Sequence, residues 1–280
     1  MTDIIAVSTF NKEGLDLYGQ IFIDSWAKNT DDNMQLVIYA EDCEPNNPAS
    51  NKILILNQKE VLPELKAFKK KWGKVPKANG ECPWPNKRPR DYDKRFKWDA
   101  IRFSNKVYAV FDACERFSNR WVVWIDADTV VHSHWDYQSY SALFPSDVWL
   151  TYVGRGKGSQ TWPECGFYGL DTSSAKARQF IANFKYQYEN AEDGIFKLEE
   201  WHDSYVFGHC LEKFLRMYPD VLDYSAGIYM KTARTGGGGH PLINSVLGTW
   251  LDHLKGDRKQ IGKSKKQDLM VKRGEKYWKF

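Results

Sequence analysis

Two aspartates, Asp126 and Asp128, follow the apolar run Trp121-Val-Val-Trp-Ile125 with one residue between them. Such a run makes a buried strand, and in open α/β sheets ligands gather beyond the carboxyl ends of strands. Two carboxylates delivered there on an irregular turn can both approach one cation. A hard divalent ion such as Mg²⁺ or Mn²⁺ takes oxygen ligands and leaves positions for phosphate oxygens. A D-x-D triplet alone is weak. Asp91-Tyr-Asp93 is a second one, in a basic loop with no strand before it, so the strand context is what separates the two. The bland alternative for Asp126 and Asp128 is a capping or turn role.

A second constellation lies near the end of the chain, at His253-Leu-Lys-Gly256-Asp-Arg-Lys259. Imidazole can complete a metal's coordination. Glycine lets backbone approach a phosphate closely, and lysine brings a mobile point charge to the same phosphates. The pattern makes sense around a diphosphate; the alternative is a surface histidine in a basic tail. His132 and His134 form an H-x-H shortly after the aspartates, which admits a metal-dependent hydrolase or nuclease, although the remaining ligands of a two-metal site are not visible in the spacing.

The elements that must position these residues follow from periodicity. Ile4–Phe10 reads as a buried strand, residues 14–28 as a helix with Leu15, Tyr18, Phe22 and Trp26 at helical spacing, and residues 34–40 as a second strand. A β-α-β opening predicts a parallel α/β sheet. A third strand is expected at 53–56, then a helix at 61–72. Residues 73–90 are rich in Pro, Gly and Lys and form a long loop of the kind that is often functional. Further helices are expected over 96–117, 174–188 and 199–217, and further strands over 121–125, 148–153 and 167–170. Gly236–Gly239 is a flexible link, and there is no internal repeat.

The 280 residues suit one large domain. With 42% hydrophobic and 27% charged residues the chain can bury a core, which excludes global disorder. No apolar run approaches the roughly 20 residues of a membrane span. The first residues lack a signal-peptide pattern. Five cysteines, Cys43, Cys82, Cys114, Cys165 and Cys210, are odd in number and contain no CxxC pair, which excludes a zinc knuckle or a disulfide framework and points to a cytoplasmic, reduced protein. The net charge is +4, but residues 66–97 carry +9 and residues 255–280 carry +7, so the other 222 residues sum to 4 − 16 = −12. Two basic segments on an acidic body suit a polyanion: a nucleotide diphosphate, an anionic surface or nucleic acid.

A strand ending in D-x-D after a βαβ opening resembles the GT-A fold of nucleotide-sugar glycosyltransferases. His253-x-x-Gly256-x-x-Lys259 is similar to the HxxGxxK signature of the glycogenin and lipopolysaccharide galactosyltransferase family. The strings ECGF, EEWHDS and DHLKG-D-RK also resemble those of putative bacterial and bacteriophage glycosyltransferases. The resemblance implies a GT-A-like mixed, mostly parallel sheet flanked by helices, with a catalytic domain over 1–254 and a basic tail over 255–280 that closes on the nucleotide. It implies that Asp126, Asp128 and His253 hold Mn²⁺ or Mg²⁺ and that Gly256 and Lys259 contact the diphosphate of a UDP-type sugar donor. Arg102 and Lys106 look like the family's basic residues near sugar and phosphates. Cys165-Gly166-Phe167 falls on its sugar-contacting strand, and Asp203 falls where it has an acid facing the donor sugar. Departures are Gln260-Ile261 in place of Pro-Trp, the absent Asn of the sugar strand, and the loop at 73–90.

The implied reaction is transfer of a hexosyl or pentosyl group, with retention favoured by the resemblance. Thr9 and Asn11, after the first strand, are placed to meet the nucleoside. Glu164, His202 and Asp203 are candidates for the sugar-facing or acceptor-activating group. The acceptor is a glycan or, for a phage-type enzyme in a host cytoplasm, a DNA base. A third class, a non-enzymatic nucleic-acid binder, draws on the aromatics Trp72, Trp84, Tyr92, Phe96, Tyr277 and Trp278 among the basic residues.

Overall fold

The structure, a computed structural model, describes residues 3–84, 86–87, 94–155, 162–226, 228 and 240–280. Asp91, Tyr92 and Asp93 lie outside the described residues, as do residues 88–90 and the glycine link Gly236–Gly239.

Seven strands form one sheet in the order β3-β2-β1-β4-β7-β6-β8. They are β1 (Ile4–Phe10), β2 (Gln35–Ala40), β3 (Ile53–Asn57), β4 (Trp121–Ile125), β6 (Leu150–Val153), β7 (Glu164–Asp171) and β8 (Val221–Asp223). The pairs β1·β2, β1·β4, β2·β3 and β6·β8 are parallel, whereas β7 runs antiparallel to both β4 and β6. The sheet is thus mixed and mostly parallel, as expected, and β7 is the strand that turns it. A separate two-stranded ladder joins β5 (Thr129–Val131) to β9 (Leu251–His253).

Alternation along the central strands feeds two cores. In β4, Val122 and Trp124 join one apolar cluster and Trp121, Val123 and Ile125 the other. In β1, Ile5 and Val7 face the first and Ile4 and Ala6 the second. A strand buried on both faces reads as a continuous apolar run because helices cover both sides. Helices Ala100–Arg116, Ala175–Glu189 and Asp203–Met217 cover the first face; the helical segment 12–29 and the C-terminal residues cover the second.

Several boundaries differ from the sequence expectation for identifiable reasons. The helix expected from residue 96 starts at Ala100, because Asp99 caps it by accepting from the Arg102 amide at 3.0 Å. The helix expected from 199 starts at Asp203, because Trp201 N donates to Lys97 O and Trp98 Nε1 to Glu199 O, which ties that stretch to residues 97–98. Segment 12–29 contains a π-helical turn, Leu15–Gly19, that periodicity did not show. The loop at 73–90 holds a 3₁₀ turn at Pro76–Asn79. Strands β5, β8 and β9, three residues each, were missed.

The last 26 residues wrap back onto the body. Asp252 in β9 accepts from Ser264 N, Ser264 Oγ and Tyr277 Oη at 2.8, 2.6 and 2.7 Å. The Tyr277 ring stacks on His132 with centroids 4.0 Å apart, and buried Trp278 donates to Gly248 O at 2.7 Å. Among the described residues no helix is long and apolar enough to cross a membrane. Trp278→Ala removes the tail's apolar anchor, so urea denaturation should show a loss of about 3–5 kcal/mol, the usual cost of emptying a buried Trp site.

Candidate active site

The carboxyl ends of β1, β2 and β4 open into a cavity of about 580 Å³. Thr9, Asn11, Glu41, Asp126, Asp128, Glu164, Gly166, Asp203, Ser204 and Lys259 are among the residues that line it. This is where the open-sheet rule places a ligand.

The β5·β9 ladder assembles its centre. Thr129 pairs with His253, and Leu254 N donates to Asp128 O at 2.7 Å. His253 Nε2 consequently sits 3.1 Å from Asp128 Oδ1 and 3.6 Å from Asp126 Oδ2. Ligand atoms of Asp126, Asp128 and His253 all lie within 4.8 Å of one another, the one such group of three His, Cys, Asp or Glu found among the described residues. Two carboxylate oxygens and one imidazole nitrogen are a donor set that suits Mn²⁺. Lys259 Nζ lies 2.8 Å from Asp128 Oδ2, so a cation already complements that carboxylate. Burial opposes the charge on Asp128, yet His253 and Lys259 hold its carboxyl well below the usual range. Burial likewise opposes the imidazolium of His253, but Asp128 raises its pKa above the ordinary value.

A second ionic group sits against the first. Lys106, buried on helix Ala100–Arg116, contacts Asp126 Oδ1 at 2.8 Å and Asp203 Oδ2 at 2.7 Å, and donates to Cys165 O. Its burial favours the neutral amine, but the two carboxylates keep it charged well past its usual range. Trp124 Nε1 also donates to Asp126 Oδ1, at 2.6 Å. Asp126 is therefore oriented through one oxygen, while its other faces His253. Glu164 is buried, with Arg155 at 3.0 Å and Lys255 beside it. Against the effect of burial, Lys255, His253 and Arg155 hold its carboxyl down to about 2. So low a pKa makes it a poor proton acceptor at neutral pH.

The other predicted residues are distributed as follows. Thr9, Asn11, Arg102, Lys106, Asp203 and Lys259 line the cavity. Asn11 Oδ1 caps the first helical turn by accepting from Gly14 N, and Thr9 Oγ1 donates to Tyr39 O. Gly256 adopts φ +60°, a left-handed conformation that glycine tolerates, just before the turn bearing Lys259. His202 does not line the cavity: its Nδ1 accepts from Tyr205 N as a helix cap, and its Nε2 meets Glu200 at 3.1 Å. His132 and His134 are also apart, the first stacked on Tyr277 with burial lowering its pKa to about 4, the second 3.5 Å from Asp31. Of the aromatics proposed as stacking platforms, Trp72 and Trp278 are buried, Trp84 packs on Trp201 and Tyr277 on His132, while Phe96 is exposed.

Sequence reasoning missed Tyr18, Glu41, Phe103, Trp124 and Ser204, all of which line the cavity. Tyr18 stands in the π-turn between Gly14 and Gly19; its ring lies 4.7 Å from Lys259 Nζ, and burial pushes its phenol up to about 12. A Cβ at Gly14 would meet Tyr18 Oη at 2.7 Å. The glycine pair around Tyr18 was the available signal, since π-turns often mark functional sites. Glu41 follows β2 directly, and burial raises its pKa to about 7.

Two predictions follow from this geometry. A Cβ on Gly166 would lie 2.6 Å from His253 Cε1, so Gly166→Ala should push the imidazole off the aspartates and weaken Mn²⁺ binding roughly tenfold by titration, with the circular dichroism spectrum unchanged. Glu41 has a folded pKa above its unfolded value, so the native state favours the protonated form and loses stability as pH climbs from about 4.5 to about 7. The total is at most about 3 kcal/mol. Glu41→Gln should therefore melt higher than wild type above neutrality, with the gap closing under acid conditions.

No family model matches the chain, and no curated protein matches it. Solved structures do. The apo structure of the bifunctional glycosyltransferase WbbM aligns with a TM-score of 0.44 and 13% identity over 79% of this chain and 38% of that one. The chain thus spans well under half of WbbM. The galactosyltransferase LgtC, in complex with donor and acceptor sugar analogs, aligns with a TM-score of 0.45 and 12% identity over 79% of this chain and 73% of that one. A glycosyltransferase involved in the glycosylation of the major capsid of PBCV-1 aligns with a TM-score of 0.47 and 12% identity over 92% of this chain and 97% of that one.

Proposed function

We propose that the chain is a metal-dependent glycosyltransferase of GT-A type, moving a hexosyl or pentosyl group from a nucleoside diphosphate, UDP in the first instance, to a hydroxyl acceptor. The observation that carries this reading is the convergence of residues from two distant parts of the chain: Asp126, Asp128 and Lys259 line one cavity, and buried His253 stands against the two aspartates. A hydrolase built on His132 and His134 has no comparable geometry: among the described residues neither belongs to a cluster of three possible metal ligands, the first being stacked on Tyr277 and the second facing Asp31.

Asp126, Asp128 and His253 would hold the cation, Mn²⁺ in preference to Mg²⁺ because one donor is an imidazole. When bound, it supplies Lewis-acid stabilisation of the diphosphate's growing charge. Lys259 adds a point charge to the same phosphates, and the backbone at Gly256 lets the chain come near them. Thr9, near the end of β1, and Asn11, just after it, take the nucleoside end. Arg102 and Lys106 face the sugar and phosphates. Asp203 is the acid beside the donor sugar; its contact with Lys106 orients it. In the retaining reading the bond from sugar C1 to the phosphate oxygen breaks, a bond from C1 to the acceptor oxygen forms on the same face, and the acceptor's proton passes to the departing diphosphate.

We assign residues 1–254 to the catalytic body and 255–280 to a tail that covers the diphosphate. The acceptor is a glycan. A DNA base is the second choice, favoured by the exposed lysines Lys66, Lys70 and Lys71 on helix Pro63–Trp72. In that case duplex affinity should fall steeply with salt.

A thermal-shift screen of nucleotide sugars with and without Mn²⁺ tests the donor. Saturating the site at about a hundred times Kd adds roughly 2.7 kcal/mol to stability, so the true donor should raise Tm only when Mn²⁺ is present. Asp128→Asn should abolish that shift and the Mn²⁺-dependent turnover while the far-UV spectrum stays native. Undiminished turnover in this variant would refute the site.

A further inference from the structure

Glu164 is a buried charge that the reaction above does not use. It opens β7 and is 5% exposed. Its Oε2 is taken by Arg155 Nη2 at 3.0 Å and by Lys255 Nζ. Its Oε1 lies 3.8 Å from Nδ1 of His253, a buried nitrogen with no hydrogen-bond partner. The opposite nitrogen, Nε2, faces Asp128 and Asp126. Gly166 makes room for this arrangement, since a Cβ there would lie 2.8 Å from His253 Nδ1 and 3.2 Å from Glu164 Oε1.

An imidazole binds a cation only through a nitrogen whose lone pair is free, so the proton must sit on the other nitrogen. A carboxylate that accepts this proton sets the tautomer and the ring's orientation. We propose that Glu164 is the positioning residue of the metal site: its Oε1 faces His253 Nδ1 at 3.8 Å, wider than a hydrogen bond, and its charge favours the proton on that nitrogen, while Arg155 and Lys255 hold Oε2 and so aim Oε1 at the ring. Lys255 lies two residues beyond His253, so the segment that carries the ligand also carries a cation that anchors its orienting group. Glu164 thus acts through His253 and leaves proton transfer with the substrate to other groups. The inference rests on the metal site of the glycosyltransferase reading, and its test separates the two.

Mn²⁺ binding to the full chain, followed by electron paramagnetic resonance of the free ion, should weaken roughly tenfold in Glu164→Gln. Glu164→Asp keeps the charge that Arg155 and Lys255 need but draws the carboxylate away from the ring. It should fold normally and lose comparable Mn²⁺ affinity. Nitrogen-15 correlation spectra of the metal-free protein at alkaline pH should show His253 protonated on Nδ1 in wild type and a mixture of tautomers in Glu164→Gln. Unchanged affinity together with an unchanged tautomer in that variant would overturn the proposal. A wild type that binds no Mn²⁺ would instead overturn the metal reading, and the tautomer spectra would still decide whether Glu164 and His253 are paired.

Discussion

Everything in the site depends on a ladder of three residue pairs. Strand β5, directly after the two aspartates, pairs with β9, 120 to 124 residues later in sequence, and Thr129 stands opposite His253. Side chains alternate along a strand, so β9 sends its two polar residues in opposite directions. His253 faces the aspartates, and Asp252 faces the tail, where Ser264 and Tyr277 bind it. One register therefore fixes both the nitrogen that faces the two aspartates and the anchor of the segment bearing Lys259. A slip of one residue would exchange the two and destroy the site.

Charge balance is the second constraint. Asp126, Asp128, Glu164 and Asp203 are gathered in one partly enclosed cavity, and their mutual repulsion would be severe in a medium of low dielectric. Lys106 sits between Asp126 and Asp203, Lys259 on Asp128, and Lys255 with Arg155 on Glu164. Each carboxylate thus has a cation placed beside it. The same pairing leaves Asp126 Oδ2 and Asp128 Oδ1 directed at His253.

The sheet explains why these residues meet. Parallel strands β1, β2 and β4 deliver Thr9, Glu41 and Asp126 to one edge. The antiparallel β7 passes beside β4 in the opposite sense, so its first residues, Glu164 and Gly166, arrive at that same edge. An all-parallel sheet would have presented the end of that strand instead.

Long elements and local motifs were legible in the amino-acid sequence. The apolar runs of β1, β2 and β4, the helix Ala175–Glu189, the Asp126-x-Asp128 turn and the His253 to Lys259 spacing all announce themselves, because periodicity and residue chemistry act over a few neighbours. The three-residue strands β5 and β9 carry no such pattern, and they bring the two motifs together. The surroundings of Glu164 were equally hidden: its residue type allows a catalytic base, but only the fold buries it against Arg155, Lys255 and His253. His202 offered an imidazole in a promising string, yet it caps a helix because Tyr205 N needs an acceptor. What a side chain can do is local chemistry; which partners it meets is decided by pairings between distant segments, and those exist only once the chain has folded.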